Sequence, residues 1–349
     1  MSAAAQAIGS AMPGPPNFAH LRRLTTAKGV FEHCQGEVPR PEHGYCTDDV
    51  ARALIVAARE PVQGRDLQRM TSGYLDFLSG AYRGGGCFVN RRDVGGRWVD
   101  DGANDDASGR AVWALGEAAT RLRDAGQRTI ARHLFVEACQ FRSPFLRPTA
   151  YAVIGAAAIT AADPSHVGAA RLLAESAAST ELSGDTATWP WPEPRLTYGN
   201  AVVPEMLLLL GRELRLQSFV VAGLHMLRWL VATETGPSGW LSVTPTIGWA
   251  PGEPRPAFDQ QPIEIAALAD ASATAWSLTG DPVWAREIIR CGGWFAGMND
   301  GQIPMVDPRN GGGFDGLTAE GRNDNRGAES TIAALTTLQW VRAAMGVVA

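Results

Sequence analysis

Apolar residues along this chain follow two helical patterns that alternate. In the first, small apolar residues run almost all round the helix, as in Val50-Ala51-Arg52-Ala53-Leu54-Ile55-Val56-Ala57-Ala58 and again over 152–162. A helix that is apolar on every face is a buried one. In the second, only one face is apolar: between Asp66 and Tyr82, Leu67, Met70, Tyr74, Phe77, Leu78 and Ala81 share a face that Arg69, Ser72 and Asp76 avoid. That spacing predicts an amphipathic helix lying outside the first kind.

The buried kind is predicted to begin near Thr47, Asp105, Thr149, Asn200, Pro262 and Asn325, at intervals of about 44 to 63 residues. Amphipathic partners are predicted near Asp66, Gln127, Ser165, Ser218 and Asp281, and a short helix between Asn17 and Thr26 pairs with the C-terminal one. Six inner and six outer helices make an all-α fold, the (α/α)6 toroid. Stacked helical hairpins also build open solenoids. The closed ring is preferred because the loops before the inner helices are long and chemically loaded, which calls for a shared centre.

Local signals agree. Thr47 precedes Asp48 and Asp49, and acids in a first turn suit the positive end of the helix dipole. Pro262 and Pro282 suit a first helical position. Cys87–Asn90 and Arg97–Val99, around Gly95-Gly96, are predicted to form a small β-hairpin. No linker-like shift in composition cuts the chain, so residues 17–349 are expected to form one toroid domain behind a flexible, Ala/Pro/Gly-rich segment 1–16.

The chemistry concentrates in the loops that lead into inner helices. Asp48-Asp49 and Asp105-Asp106 occupy the same structural slot, and a carboxyl in a crowded acidic cleft is raised in pKa and serves as a general acid. Each pair is equally readable as a helix cap with a first-turn acid. Glu264 follows Pro262 at another helix start, with Asp259 and Gln261 just before it, and carries the same ambiguity. Trp189-Pro190-Trp191 and Tyr198-Gly199-Asn200 place aromatic rings and an amide in one loop. Such rings either stack on sugar faces or plug one end of the ring. His43 and Tyr45 open the first acidic loop, Arg110 lies one turn after the second pair, and Glu329 begins the last inner helix.

Composition narrows the alternatives. With 45% hydrophobic and 19% charged residues, the 349-residue chain can bury a large core. A net charge of −5 with no Lys/Arg block argues against nucleic acid and membrane surfaces as partners. The five cysteines are scattered, and no signal peptide or 18-residue apolar window is present, so a cytoplasmic protein with reduced thiols is expected. The six histidines show no H-x-H or H-E-x-x-H spacing, so no metal and no other cofactor is expected.

The segments His43-Gly44-Tyr45-Cys46-Thr47-Asp48-Asp49, Asp105-Asp106 with Gly109-Arg110-Ala111, Trp189-Pro190-Trp191, Leu196-Thr197-Tyr198 with Asn200, 258–264 and Gly327-Ala328-Glu329-Ser330 together resemble a bacterial family of the six-hairpin glycosidase-like superfamily. Its members are often found near or fused to glycosyltransferases. The resemblance covers nearly the whole chain and implies an (α/α)6 fold, a carbohydrate substrate and, as a partner, a glycosyltransferase. The chain departs from the family pattern at Val50, Pro192, Gly199 and Arg326, and the glycine at 199 leaves no acid there to act.

The leading expectation is a glycoside hydrolase acting on an oligo- or polysaccharide through two carboxylates, with inversion favoured by analogy alone. One acid is expected from Asp48, Asp49, Asp105 or Asp106 and the other from Glu264, Asp259 or Glu329. Tyr45, Trp189, Trp191 and Tyr198 are expected to line sugar subsites. The rival class is a non-catalytic glycan-binding or glycosyltransferase-associated domain. A sugar epimerase or isomerase ranks third, because that chemistry wants histidine bases and only His43 stands near the expected rim.

Overall fold

In the computed structural model, residues 14–100, 102–182 and 188–348 are described. They contain twelve α-helices of two kinds. The inner ones are α2 (Thr47–Arg59), α4 (Asp105–Arg121), α6 (Leu146–Ala162), α8 (Val202–Glu213), α10 (Pro262–Thr279) and α12 (Ala328–Val348). The outer ones are α1 (Ala19–Leu24), α3 (Arg65–Ala81), α5 (Ala125–Ala138), α7 (Val167–Ser179), α9 (Gln217–Thr233) and α11 (Pro282–Phe295). Each predicted helix is present, with its start displaced by at most a few residues. The segment expected to be flexible, 1–16, lies almost wholly outside the described residues.

The inner helices close a ring. Each packs on the next, α2 on α4, α4 on α6, α6 on α8, α8 on α10, α10 on α12, and α12 back on α2. Each outer helix lies against its own inner partner, the short α1 against α12. The closest inner approach is α4 against α6, and glycine permits it. A Cβ on Gly116 would lie 2.2 Å from the carbonyl oxygen of Gly155, and one on Gly155 would lie 2.4 Å from that of Val112. With no side chain between them, the two backbones touch.

Short antiparallel ribbons decorate the rim that holds the inner-helix N-termini. β1 (Thr25–Thr26) pairs with β2 (Gly29–Val30), β3 (Cys34–Gln35) with β4 (Val38–Pro39), β5 (Tyr45–Cys46) with β6 (Arg91–Arg92), and β7 (Gly316–Thr318) with β8 (Gly321–Asn323). The predicted hairpin turns where expected, but its first arm is Arg91–Arg92 rather than Cys87–Asn90. Asp93 N–H donates to the Arg97 carbonyl at 2.9 Å, Arg92 bridges Trp98, and the same arm pairs on its other side with Tyr45–Cys46. Pairing on both sides holds 91–92 extended, whereas 87–90 runs off toward α4.

The end of the ring opposite that rim is sealed by a buried ion cluster. Arg59, at the end of α2, binds Glu117 of α4 at 2.9 Å and Asp270 of α10 at 2.5 Å. Its guanidinium lies 5.6 Å from the Trp113 ring centroid and 5.3 Å from that of Trp340, within cation–π range. Trp340 N–H also donates to Asp270 at 2.6 Å. Beside them is Glu205 of α8, 3% exposed, which accepts from Thr274 Oγ1 at 2.8 Å. Burial and the neighbouring Asp270 push its carboxyl well above the usual range.

No helix among the described residues is long and apolar enough to cross a membrane. Replacing Arg59 with Leu strands two buried carboxylates, and removing one partner of such a cluster costs about 3–5 kcal/mol. Chemical denaturation of Arg59→Leu should show that loss, with Glu117→Gln/Asp270→Asn in the same background recovering much of it.

Candidate active site

The first acidic slot is held open by an unusual cap. Cys46 is the N-cap of α2, and its Sγ accepts the Asp49 backbone N–H at 3.4 Å. Thr47, expected to cap, lies inside the helix, and its hydroxyl donates to the Val89 carbonyl at 2.6 Å. The two acids that follow then diverge. Asp48 is clamped between guanidinium groups, with Oδ1 2.5 Å from Arg110 and Oδ2 2.5 Å from Arg52. Asp49 points inward, 2% exposed, with Oδ1 2.7 Å from Arg52 and Oδ2 3.1 Å from the Cys46 thiol. Burial pushes its carboxyl up to about 7, aided by Asp48, Glu329 and Glu32, although Arg52 pulls the other way.

Arg52 also reaches Glu329 of α12 at 2.8 Å, so one guanidinium gathers acids from two sides of the ring. Arg110 donates to Tyr151 O–H at 2.8 Å and stacks over that ring at 4.0 Å. In the second acidic slot, Asn104 rather than an aspartate caps α4, accepting from Ala107 N–H at 2.9 Å. That frees Asp106 for the interior, where Oδ2 accepts the Tyr198 hydroxyl at 2.7 Å and Oδ1 has no hydrogen-bond partner among the described residues. Burial, and the bond to Asp106, push the Tyr198 phenol up, so it stays a donor.

These groups line one cleft of about 720 Å³, within the size range of small-ligand sites. Of the residues singled out from sequence, it is lined by Asp48, Asp49, Asp106, Arg110, Tyr198, Gln261 and Glu329. Beneath the floor made by Arg52 and Arg110 is a cavity of about 40 Å³, lined by Trp113, Tyr151, Gly199, Ile332 and others.

The other candidates lie elsewhere, each for a visible reason. Asp105 turns outward and accepts from Ser143 Oγ at 2.6 Å. Glu264, 4% exposed and raised to about 7 chiefly by burial, accepts backbone N–H from Gly199 at 2.5 Å and Asn200 at 3.2 Å. It ties the 193–200 loop to α10 and does not face the cleft. Asn200 is fully buried and accepts from Thr197 N–H at 3.0 Å. Tyr45 is core, stacked on Phe31 at 4.9 Å. Trp189 and Trp191 nest with Trp229 of the outer helix α9 at 5.0 and 6.1 Å. Asp259 is exposed on the loop before α10. His43 is exposed and meets His33 edge-on at 4.8 Å.

The structure adds lining residues that the sequence did not flag. Glu32, His33, Arg52, Asn90, Arg91, Asn104, Asp315, Asn323 and Asn325 all face the cleft. Glu32 and His33 arrive from the β2–β3 connection and Arg91 from β6, segments with no helix start to mark them. Arg91 forms an ion pair with Glu32. Glu32, Cys46 and Asp49 bring one potential ligand atom each within 4.8 Å. Of its two carboxylates, Glu32 carries Arg91, and Asp49 shares Arg52 with Asp48 and Glu329.

No known family profile matches the sequence, and no curated protein does either. Solved structures do match. A sugar epimerase from a ruminal bacterium superposes with a TM-score of 0.70 at 12% identity, covering 97% of this chain and 98% of that one. The cellobiose 2-epimerase of Bacillus thermoamylovorans gives 0.69 at 11%, covering 94% and 96%. A cellulase of C. cellulolyticium in complex with cellobiose gives 0.57 at 10%, covering 90% and 87%. At these identities the likeness is one of fold. The chain shares its (α/α)6 toroid fold with these sugar epimerases and this cellulase.

Glu264→Ala should lower stability by about 2–4 kcal/mol in denaturant titrations, because two buried backbone N–H groups lose their acceptor. A Glu264→Ala protein as stable as the wild type would return that residue to the list of chemical groups.

Proposed function

We infer that the protein is a carbohydrate-active enzyme and that its reaction is hydrolysis of a glycosidic bond. The toroid shared with sugar epimerases and a cellulase supports the broader statement, as does a cleft edged with acids and amides suited to hydroxyl groups. The observation that carries hydrolysis is the contrast between two carboxyls in that cleft. Asp49 is enclosed and raised to about 7, so it holds a proton near neutrality. Asp106 is steadied on one oxygen by Tyr198 and keeps the other unpartnered. A carboxyl raised by burial can supply a proton while a second carboxyl lining the same cleft receives one.

Asp49 then protonates the leaving oxygen while Asp106 draws a proton from the attacking water. Asp48, clamped between two arginines, faces the positive charge that develops at the sugar ring. Direct displacement by the activated water inverts the anomeric centre, which the product anomer read by NMR checks. A glycosyltransferase partner rests on the motif resemblance and would mark the substrate as a newly made glycan.

A second reading, epimerisation or isomerisation of a reducing sugar, is favoured by His33, whose Nε2 lies 3.6 Å from Glu32 at the cleft wall. Incubation with cellobiose and mannose in D2O separates the two. Deuterium at C2 with no gain of water identifies the isomerase, and a mass gain of one water per bond identifies the hydrolase. Tight binding of a glycan that stays intact would leave only a binding domain.

Two outcomes follow for the hydrolase. Asp106→Asn should abolish turnover of every substrate without lowering the melting temperature. Asp49→Asn should lose about 10²–10⁴-fold on natural glycosides yet act on 2,4-dinitrophenyl glycosides, whose leaving group needs no proton. In the wild type, kcat/KM on natural glycosides should fall as pH rises through about 7, where Asp49 gives up its proton. That alkaline limb should be missing with the dinitrophenyl substrates.

A further inference from the structure

What Cys46 does beside Asp49 rests on the reading of Asp49 as the acid. Helix N-caps are ordinarily Ser, Thr, Asp or Asn, whose oxygen accepts a backbone N–H of the first turn. Here a thiol has that place, and it touches the same residue twice. Sγ accepts Asp49 N–H at 3.4 Å and lies 3.1 Å from Asp49 Oδ2. Cys46 is 4% exposed, so no solvent competes for either contact.

We propose that Cys46 is a positioning residue: it fixes the Asp49 carboxyl by capping its helix while offering that carboxyl only a weak hydrogen bond. A hydroxyl in this place would do the first and undo the second. An O–H donor to a carboxylate makes a short, strong bond that favours the charged form, whereas a thiol is a weak donor. The thiol also stays a thiol. Burial, with Asp49, Glu32 and Asp48 around it, pushes Cys46 well above its ordinary value, so no thiolate competes with the carboxyl for the proton.

The remaining groups facing Asp49 are fixed. Asp48 and Arg52 face it from its own helix, Glu329 from α12, Glu32 from the β2–β3 connection and Arg91 from β6. Of these, Arg52 makes the direct contact and favours the anion. Against so close a cation, a second strong donor would leave Asp49 ionised across the neutral range and unable to give a proton.

The test follows the Asp49 carboxyl carbon by NMR in the full-length protein labelled with [13Cγ]aspartate, its resonance assigned by its loss in Asp49→Asn. The wild type should titrate near 7. In Cys46→Ser the midpoint should fall by about one pH unit with no loss of melting temperature, since serine is a good cap. In Cys46→Val, which neither caps nor donates, the midpoint should rise and the melting temperature should drop. The alkaline limb of kcat/KM on natural glycosides should move with the midpoint. A Cys46→Ser protein whose Asp49 titrates as in the wild type overturns the proposal, as does a wild-type Asp49 in the ordinary aspartate range. If the midpoint moves while no glycoside is cleaved, Cys46 keeps its role and only the acid assignment of Asp49 falls.

Discussion

One guanidinium sets the frame for everything at the open rim. Arg59 leaves the end of α2, binds acids on α4 and α10, and lies between indole rings from α4 and α12. Four of the six inner helices thus meet at a single group. A buried ion pair contributes little net stability compared with apolar packing of the same volume, but it tolerates few alternative registers. Sliding or rotating any of the four helices would strand a charge inside the ring. Asp48 precedes Arg59 by eleven residues of the same helix, about 16 Å along its axis. The register chosen at the sealed end therefore dictates which side chains face the cleft at the other.

Much of this frame is legible in the sequence. Alternation between helices apolar all round and helices apolar on one face gave twelve elements in the right order, because burial on one or all sides leaves its mark in periodicity. The precise starts were less legible, and the reason is chemical. Cys46 caps where Thr47 looked better suited, and Asn104 caps where Asp105 did. Both helices are capped one residue earlier than expected, and in the second slot that leaves Asp106 lining the cleft while Asp105 turns to Ser143. Arg59 carried a faint signal: a cation closing a helix after six consecutive apolar residues, 53–58. Its partners, Glu117 and Asp270, are far off in sequence and could not be paired with it by inspection.

The site was half legible. Asp48, Asp49, Asp106, Arg110, Tyr198, Gln261 and Glu329 meet in the cleft because each sits within about a turn of an inner-helix start or in the loop before one. The same rule over-reaches for Glu264, Asn200 and the two tryptophans. Loops as long as 188–201 and 235–261 carry many backbone N–H groups that need buried acceptors. Glu264 and Asn200 are spent on that need, and Trp189 and Trp191 anchor the loop on Trp229 of α9. Glu32, His33 and Arg91 escaped notice because they come from short ribbons outside the helical repeat, where no periodicity marks a residue as inward.

The arginines of the cleft show why acids can crowd there at all. Arg52, Arg91 and Arg110 each bind a carboxylate, and Arg52 binds three. Without them, six lining acids would repel one another and drag each other's protons on. With them, most of the set is compensated, and the residual imbalance falls on the residue most deeply enclosed. Asp49 is that residue: it shares its only arginine with two other acids, and its second oxygen faces sulfur instead of a strong donor. Proton affinity near neutrality at Asp49 is thus a consequence of how the cations are rationed, and the same rationing leaves Asp106 held by the Tyr198 hydroxyl, with no arginine paired to it among the described residues.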